Sequence, residues 1–419
     1  FFQQVYNMAD SIIVGQFVGS SALAAVGACA ALTNVFICVA MGAGVGAGVL
    51  VSRYFGAREY GKMKTIVSTS LLSFFVLSII LGVFSFGFSH AMMSGLQTPA
   101  DILEEAVLYL RVYFAGFPFL FMYNILSTMF TSIGESKIPL GLLIFSSVLN
   151  ILMDLWMVAG LGLGVFGAAL ATLIAQGISA VLSLLLFLRR MRRYKSAFHR
   201  FDGQELCSML QIAVPSVLQQ STVSIGMMLV QSVVNSFGSQ MLAGYSAAMR
   251  VESICVVPMS AMGNAISSYT AQNIGAGKKE RIPLGFRTGL KLSELTALPF
   301  VILYFVFSRQ MMGLFLGAES AEAISAGMAF LKIVSPWYFM IAIKLMTDGI
   351  IRGSGAMIYF VVATVPDLIL RIGFALVLTK SFGSTGIWMA WPFGWIVATT
   401  LTLIFYRKLG YKNDKSSNF

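Results

Sequence analysis

The chain repeats itself at a spacing of 219 residues, and a repeat that long limits the fold to two similar halves. Val18-Gly19-Ser20-Ser21-Ala22-Leu23-Ala24-Ala25 returns as Phe237-Gly238-Ser239-Gln240-Met241-Leu242-Ala243-Gly244, with 238 − 19 = 219. The same step carries Ser52-Arg53-Tyr54-Phe55-Gly56-Ala57 onto Ala271-Gln272-Asn273-Ile274-Gly275-Ala276, and Gly164-Val165-Phe166-Gly167 onto Gly383-Ser384-Thr385-Gly386. Leu110-Arg111-Val112 pairs with Leu331-Lys332-Ile333 at 221, so one short insertion separates the registers.

The halves are too apolar for water. Hydrophobic residues are 58% of the chain and charged residues 11%, against about 25% charged in a soluble domain. Apolar runs of about 20 residues recur, each able to cross about 30 Å of hydrocarbon. The expected fold is an all-α integral membrane protein, with twelve transmembrane helices in two pseudo-symmetric six-helix bundles. The spans read as 1–19, 28–52, 66–89, 103–133, 138–160 and 165–188, then 209–236, 244–272, 283–308, 324–353, 357–380 and 386–407. Residues 1–188 form the N-terminal lobe, 189–208 a basic linker, 209–408 the C-terminal lobe and 409–419 a tail. Six spans per half is an even number, so both halves enter with one orientation, about an axis along the membrane normal and with a central cleft. The first span opens on Phe1-Phe2-Gln3-Gln4 in mid-helix, which points to a missing start.

The net charge of +11 is confined to alternate loops, at Arg53 to Lys64, Arg189 to Arg200, Lys278 to Arg287 and Arg407 to Lys415. The intervening loops carry Asp101, Glu104 and Glu105, or Glu319 and Glu322. This positive-inside pattern places the basic loops and the C-terminus in the cytoplasm of a cell (inner) membrane protein. It speaks for membrane lipid as a partner, against nucleic acid, and a functional monomer is expected.

Motifs for catalysis fail on inspection. Gly275-Ala276-Gly277-Lys278-Lys279 lacks the full phosphate-loop spacing, and no GxSxG elbow is present. The two histidines, His90 and His199, fall at loop positions, and Cys29, Cys38, Cys207 and Cys255 have no metal-ligand spacing. No enzyme and no cofactor are expected. Gly42, Gly44, Gly46 and Gly48 form overlapping GxxxG spacings that suit close helix packing. Pro118, Pro258, Pro336 and Pro366 lie inside spans, as hinges or as packed kinks.

Carboxylates within spans are costly, so each is a functional candidate. Asp10 shares a helical face with Gln3, Tyr6 and Asn7, Asp154 lies one turn from Asn150 with Ser147 on the same face, and Thr172 is four residues from Gln176. If these faces converge, they make an oxygen-rich pocket for a proton or a sodium ion; otherwise the two acids bond neighbouring helices. Neither acid is repeated: Leu229 stands opposite Asp10, and Ala375 opposite Asp154. Ion coupling should therefore lie in the first half. The second half carries Lys344 with Asp348, and Asp367 with Arg371, at i,i+4 spacing, which read first as self-neutralising pairs and secondly as substrate contacts. The 24 methionines and 34 phenylalanines of the whole chain could line a pliable cavity, or simply pack.

Gln3-Gln4-Val5-Tyr6-Asn7-Met8-Ala9-Asp10, Gly19 to Gly27, Asn150-Ile151-Leu152-Met153-Asp154 and Gly167-Ala168-Ala169-Leu170-Ala171-Thr172 carry a resemblance over essentially the whole chain. Arg352-Gly353-Ser354-Gly355 and Gly386-Ile387-Trp388-Met389-Ala390 add to it. The sequence resembles the multidrug and toxic compound extrusion (MATE) family, in its DinF-like or MepA-like prokaryotic branch. The resemblance implies an antiporter that exports organic, often cationic, compounds against protons or sodium ions, with Asp10, Asn150, Asp154 and Thr172 as the coupling or sodium site. It implies Gln3 and Tyr6 as cavity-lining residues, and Asn124 and Gln176 complete the expected substrate-facing set. Members that use acids of the second lobe carry one on the seventh span, which this chain lacks. The rival readings are a lipid-linked oligosaccharide flippase, which needs a broadly basic cavity for pyrophosphate, and an intramembrane enzyme.

Overall fold

The computed structural model describes residues 10, 12–96, 98–316 and 321–411. Helical residues 12–17 lead into α1 (Ser20–Gly56), α2 (Tyr60–Gly95), α3 (Ala100–Ala115), α4 (Phe117–Ser132), α5 (Lys137–Asp154) and α6 (Gly164–Met191). Then follow α7 (Gly203–Asn235), α8 (Ser239–Gly275), α9 (Ile282–Phe315), α10 (Ala321–Val334), α11 (Tyr338–Gly353), α12 (Met357–Phe382) and α13 (Ser384–Lys408). No strand occurs among the described residues.

Nine of the described helical segments are long and apolar enough to span a membrane, and ten if α3 and α4 count as one span bent by 51°. α8, where serines, Asn264, Gln272 and Asn273 interrupt the apolar residues, is outside that number. The first expected span lies mostly outside the described residues. The chain is an all-α, multi-pass membrane protein.

The repeat reappears in the backbone. Gly19 (φ 119°) matches Gly238 (φ 96°), Gly164 (φ 58°) matches Gly383 (φ 59°), and both steps are 219; Gly134 (φ 85°) matches Gly355 (φ 78°) at 221. Positive φ is open to glycine and costly for other residues, so these are the places where the chain must turn the same way in both halves. The helix breaks match too. α3 ends at Gly116 with Pro118 in the next turn, and α10 ends at a 3₁₀ turn over Ser335-Pro336-Trp337. Each proline lacks the N–H that a continued helix would use. The single spans 103–133 and 324–353 expected from hydropathy are thus each two helices.

Two compact units divide the chain, residues 1–217 and 218–419, with the boundary inside α7. The basic segment belongs to the first unit because its backbone is tied to α2. Ser68 Oγ donates to the Arg200 carbonyl at 2.6 Å, and Thr65 and Thr69 accept from the His199 and Asp202 N–H groups at 3.1 and 3.0 Å. Tyr54 donates to Glu205 at 2.7 Å from the end of α1. His90 lies within α2, which outruns its expected span.

The core of the first unit gathers Phe36, Phe114 and Phe117, with ring centroids 4.7–5.4 Å apart. In the second unit Trp388 stacks on Tyr245 at 5.5 Å and meets Phe330 edge-on. Small residues bring the backbones of α8 and α11 together: a Cβ on Gly349 would lie 2.3 Å from the Gly263 carbonyl oxygen. With lipid no less apolar than leucine, such close contact supplies much of the association between membrane helices.

Candidate functional site

In the first unit, α5 places Ser147, Asn150 and Asp154 on one face by the spacing i, i+3, i+7, and all three are buried. Asn150 donates from Nδ2 to Oγ1 of Thr172 on α6 at 3.2 Å. Asp154 is fully buried, and its carboxyl group is hydrogen-bonded to that of Asp10. Directly after Asp154 the helix widens into a π turn, Leu155–Gly160. π turns add a residue to the helical ring and re-aim the side chains beside them. Met157 in that turn meets α6, where a Cβ on Gly167 would stand 3.2 Å from its carbonyl oxygen.

The remaining expected residues are placed as follows. Ser147 bonds back to the Leu143 carbonyl at 2.8 Å and Asn124 to that of Leu120 at 2.8 Å, each on its own helix. Gln176 is half-buried on α6. Gln3 and Tyr6 lie outside the described residues. The structure therefore brings Asp10 to Asp154 and Asn150 to Thr172, and leaves Ser147 and Asn124 spent on backbone.

The second unit contains a chamber of about 440 Å³ among α7, α8, α11, α12 and α13. Lys344 reaches Asp348 at 2.7 Å, and the Arg371 guanidinium grips both oxygens of Asp367 at 3.0 Å while lying 4.5 Å from the Trp391 ring centroid. Arg352 donates to Asn264 Oδ1 at 2.8 Å. Both i,i+4 couples are thus real ion pairs. The residue that the sequence reading does not single out is Glu252 on α8, 4% exposed and lining the same chamber. Its signal is an acid inside the 244–272 span. Arg250, two residues away, imitates a local charge pair, although i,i+2 residues face different ways on a helix.

The MatE family profile matches residues 1–156 and 215–377. The chain belongs to the MATE family. Its members are transporters and not enzymes. Among curated proteins it is similar to the probable multidrug resistance protein YpnP of Bacillus subtilis, 27% identical over 97% of this chain and 91% of that one. It is also similar to the probable multidrug resistance protein NorM of Thermotoga maritima, 25% identical over 96% of this chain and 88% of that one. Among solved structures, MATE in the straight conformation superposes with a TM-score of 0.90 at 24% identity, over 97% of this chain and 92% of that one. A MOP superfamily transporter from Pyrococcus furiosus, described as having a binding pocket of reverse polarity, matches with the same score, identity and coverage. Both structures establish the fold.

Proposed function

We propose that the protein is a secondary active multidrug efflux antiporter coupled to protons or sodium ions through Asp10, Asn150, Asp154 and Thr172. The Asp10–Asp154 contact carries this reading. Two carboxyl groups in hydrogen-bonding contact hold a proton between them, or a small cation in its place. The exchange of that ion changes the charge of a buried pair by one, and a buried charge change is what can drive repacking of α5 and its π turn. The multidrug names of the curated relatives support the substrate class, organic and often cationic compounds. Gln3, Tyr6, Asn124 and Gln176 are the proposed substrate contacts of the first lobe. The lobes are taken as 1–188 and 209–408, joined by the linker 189–208, with 409–419 as a cytoplasmic tail of a monomer in the cell membrane. A flippase would need a broadly basic chamber; the second unit's chamber instead carries as many acids as bases.

Everted vesicles containing the full chain test the reading. Substrate should accumulate against its gradient, and collapsing one of the two gradients, that of the coupling ion, should stop it while collapsing the other leaves it running. Uphill transport that survives the loss of both gradients would sink the proposal. Orientation is checked separately: a cysteine at Arg193 should be labelled only from the cytoplasmic side, and one at Thr98 only from outside.

A further inference from the structure

The chamber of the second unit is lined by Glu252, Asp348 and Asp367 and by Lys344, Arg352 and Arg371, so its formal charge sums to zero. Two couples satisfy much of that charge internally, Lys344 with Asp348 and Asp367 with Arg371. What remains is buried polar capacity without partners among the described residues. No hydrogen bond or ion pair reaches Glu252, although the Arg371 guanidinium stands within electrostatic range of it. Nε of Arg371 and Nε1 of Trp391 are donors without acceptors, and the stacking of the two side chains holds them together. Further along, Asp348 Oδ1 is an acceptor without a donor and Arg352 Nε a donor without an acceptor, four residues apart on α11. At both levels an unsatisfied acceptor stands with an unsatisfied donor.

Buried polar atoms are nearly always satisfied, so a concentration of orphans around one cavity points to a ligand that satisfies them. The charge sum selects its kind. A simple organic cation would meet the acceptors but add uncompensated charge to a neutral chamber, and an anion would do the reverse. A dipolar molecule meets both sets and leaves the sum at zero. We propose that this chamber binds zwitterionic organic molecules, with the ammonium group at Glu252 and the carboxylate at Arg371 Nε and Trp391 Nε1. Met227, Met249 and Trp395 wall the chamber beside these groups and give the body of the ligand an adaptable apolar surface. The volume, 440 Å³, falls within the range of about 300–1,000 Å³ for small-molecule sites. The assignment rests on the reading of the chain as an exporter of small organic compounds, and it names a substrate class for the second unit.

Three probes on one scaffold test it: 2-naphthylalanine, its methyl ester and its N-acetyl derivative, which are a zwitterion, a cation and an anion. Equilibrium binding is measured on the full chain in detergent micelles, where no ion gradient exists. The zwitterion should bind at least about tenfold more tightly than either singly charged probe. Glu252→Gln should weaken the amino acid and the ester and spare the N-acetyl acid. Trp391→Phe keeps the ring under Arg371 but removes the N–H, and it should weaken the amino acid and the N-acetyl acid while sparing the ester. Unchanged near-ultraviolet dichroism shows that each variant is folded, and the wild-type ranking stands as a test even if one variant fails. An ester that binds tightest, equal binding of all three, no binding of any, or wild-type behaviour in both folded variants overturns the proposal. Coupled efflux of ethidium, measured in vesicles, can fail independently, so the two readings stand or fall apart.

Discussion

Asp154 and Ala375 occupy the same place in the repeat, since 375 − 154 = 221, and both are fully buried. In the first unit that place holds an acid against a second acid, and the helix widens into a π turn just beyond it. In the second unit it holds a methyl group inside an α-helix that continues unbroken to Phe382. The other acids and bases of the second unit's chamber are balanced, two of the acids by a base one turn away. Like charges in contact need an exchangeable ion; paired opposite charges do not. The duplicated backbone has thus been given two electrostatic tasks, and only in the first are two acids set in contact with each other.

The largest effect expected from that difference follows from Asp10→Asn and Asp154→Asn. Each amide keeps the size of the acid but cannot exchange a proton, and each should reduce ion-driven efflux to the level of vesicles without the protein. Insertion and thermal unfolding should stay near wild type, because an amide beside a carboxyl group still forms a hydrogen bond. Uphill transport at wild-type rates in both variants would move the coupling site away from the first unit and make Asp348 and Asp367 the leading candidates.

Lys344→Met should act on the other side of the comparison. It leaves Asp348 as a buried charge without its partner, and loss of one member of such a pair costs on the order of 3–5 kcal/mol. Thermal unfolding in micelles should show that loss. The double variant Lys344→Met with Asp348→Leu should recover most of it, since an apolar pair of similar volume replaces the ion pair without desolvating a charge. Coupling per folded molecule should survive Lys344→Met. A coupling defect as deep as that of Asp154→Asn would erase the division of tasks between the units.

Much of this contrast is legible in the residues. The repeat, the apolar runs and the rarity of acids in spans mark Asp10 and Asp154, and i,i+4 spacing marks Lys344–Asp348 and Asp367–Arg371. What sequence reasoning does not reach has physical reasons. Hydropathy is blind to hydrogen-bond register, so it runs through the break at Gly116 and the π turn after Asp154. The docking of the basic segment on α2 depends on threonine hydroxyls meeting backbone N–H groups from more than 130 positions away. Glu252 is isolated in the sequence, and only the packing of α8 against α11, around a chamber that α12 also lines, reveals that it shares that chamber with three basic side chains.

The smallest effect expected tests the repeat itself. Arg58 has φ 60° and is the only described residue other than glycine with positive φ, while its counterpart 219 residues later is Gly277, at φ 71°. Both close a helix end in the same way. The Arg58 N–H reaches the Phe55 carbonyl at 3.1 Å and the Glu59 N–H that of Tyr54 at 3.0 Å; in the second unit Gly277 reaches Ile274 at 3.1 Å and Lys278 reaches Asn273 at 2.8 Å. A side chain in the left-handed region costs about 1–2 kcal/mol, and glycine avoids that while giving up about 0.4–1 kcal/mol through its freer unfolded chain. Arg58→Gly should therefore raise stability by about 0.5–1 kcal/mol, and Gly277→Arg should lower it by a similar amount. Thermal unfolding of the two variants in micelles compares the turns directly. Opposite shifts of similar size mean that the two units still impose one backbone geometry at this turn. If Arg58→Gly destabilises instead, the arginine side chain holds a contact at its helix end that outweighs its backbone strain, and the likeness of the two turns is only one of shape.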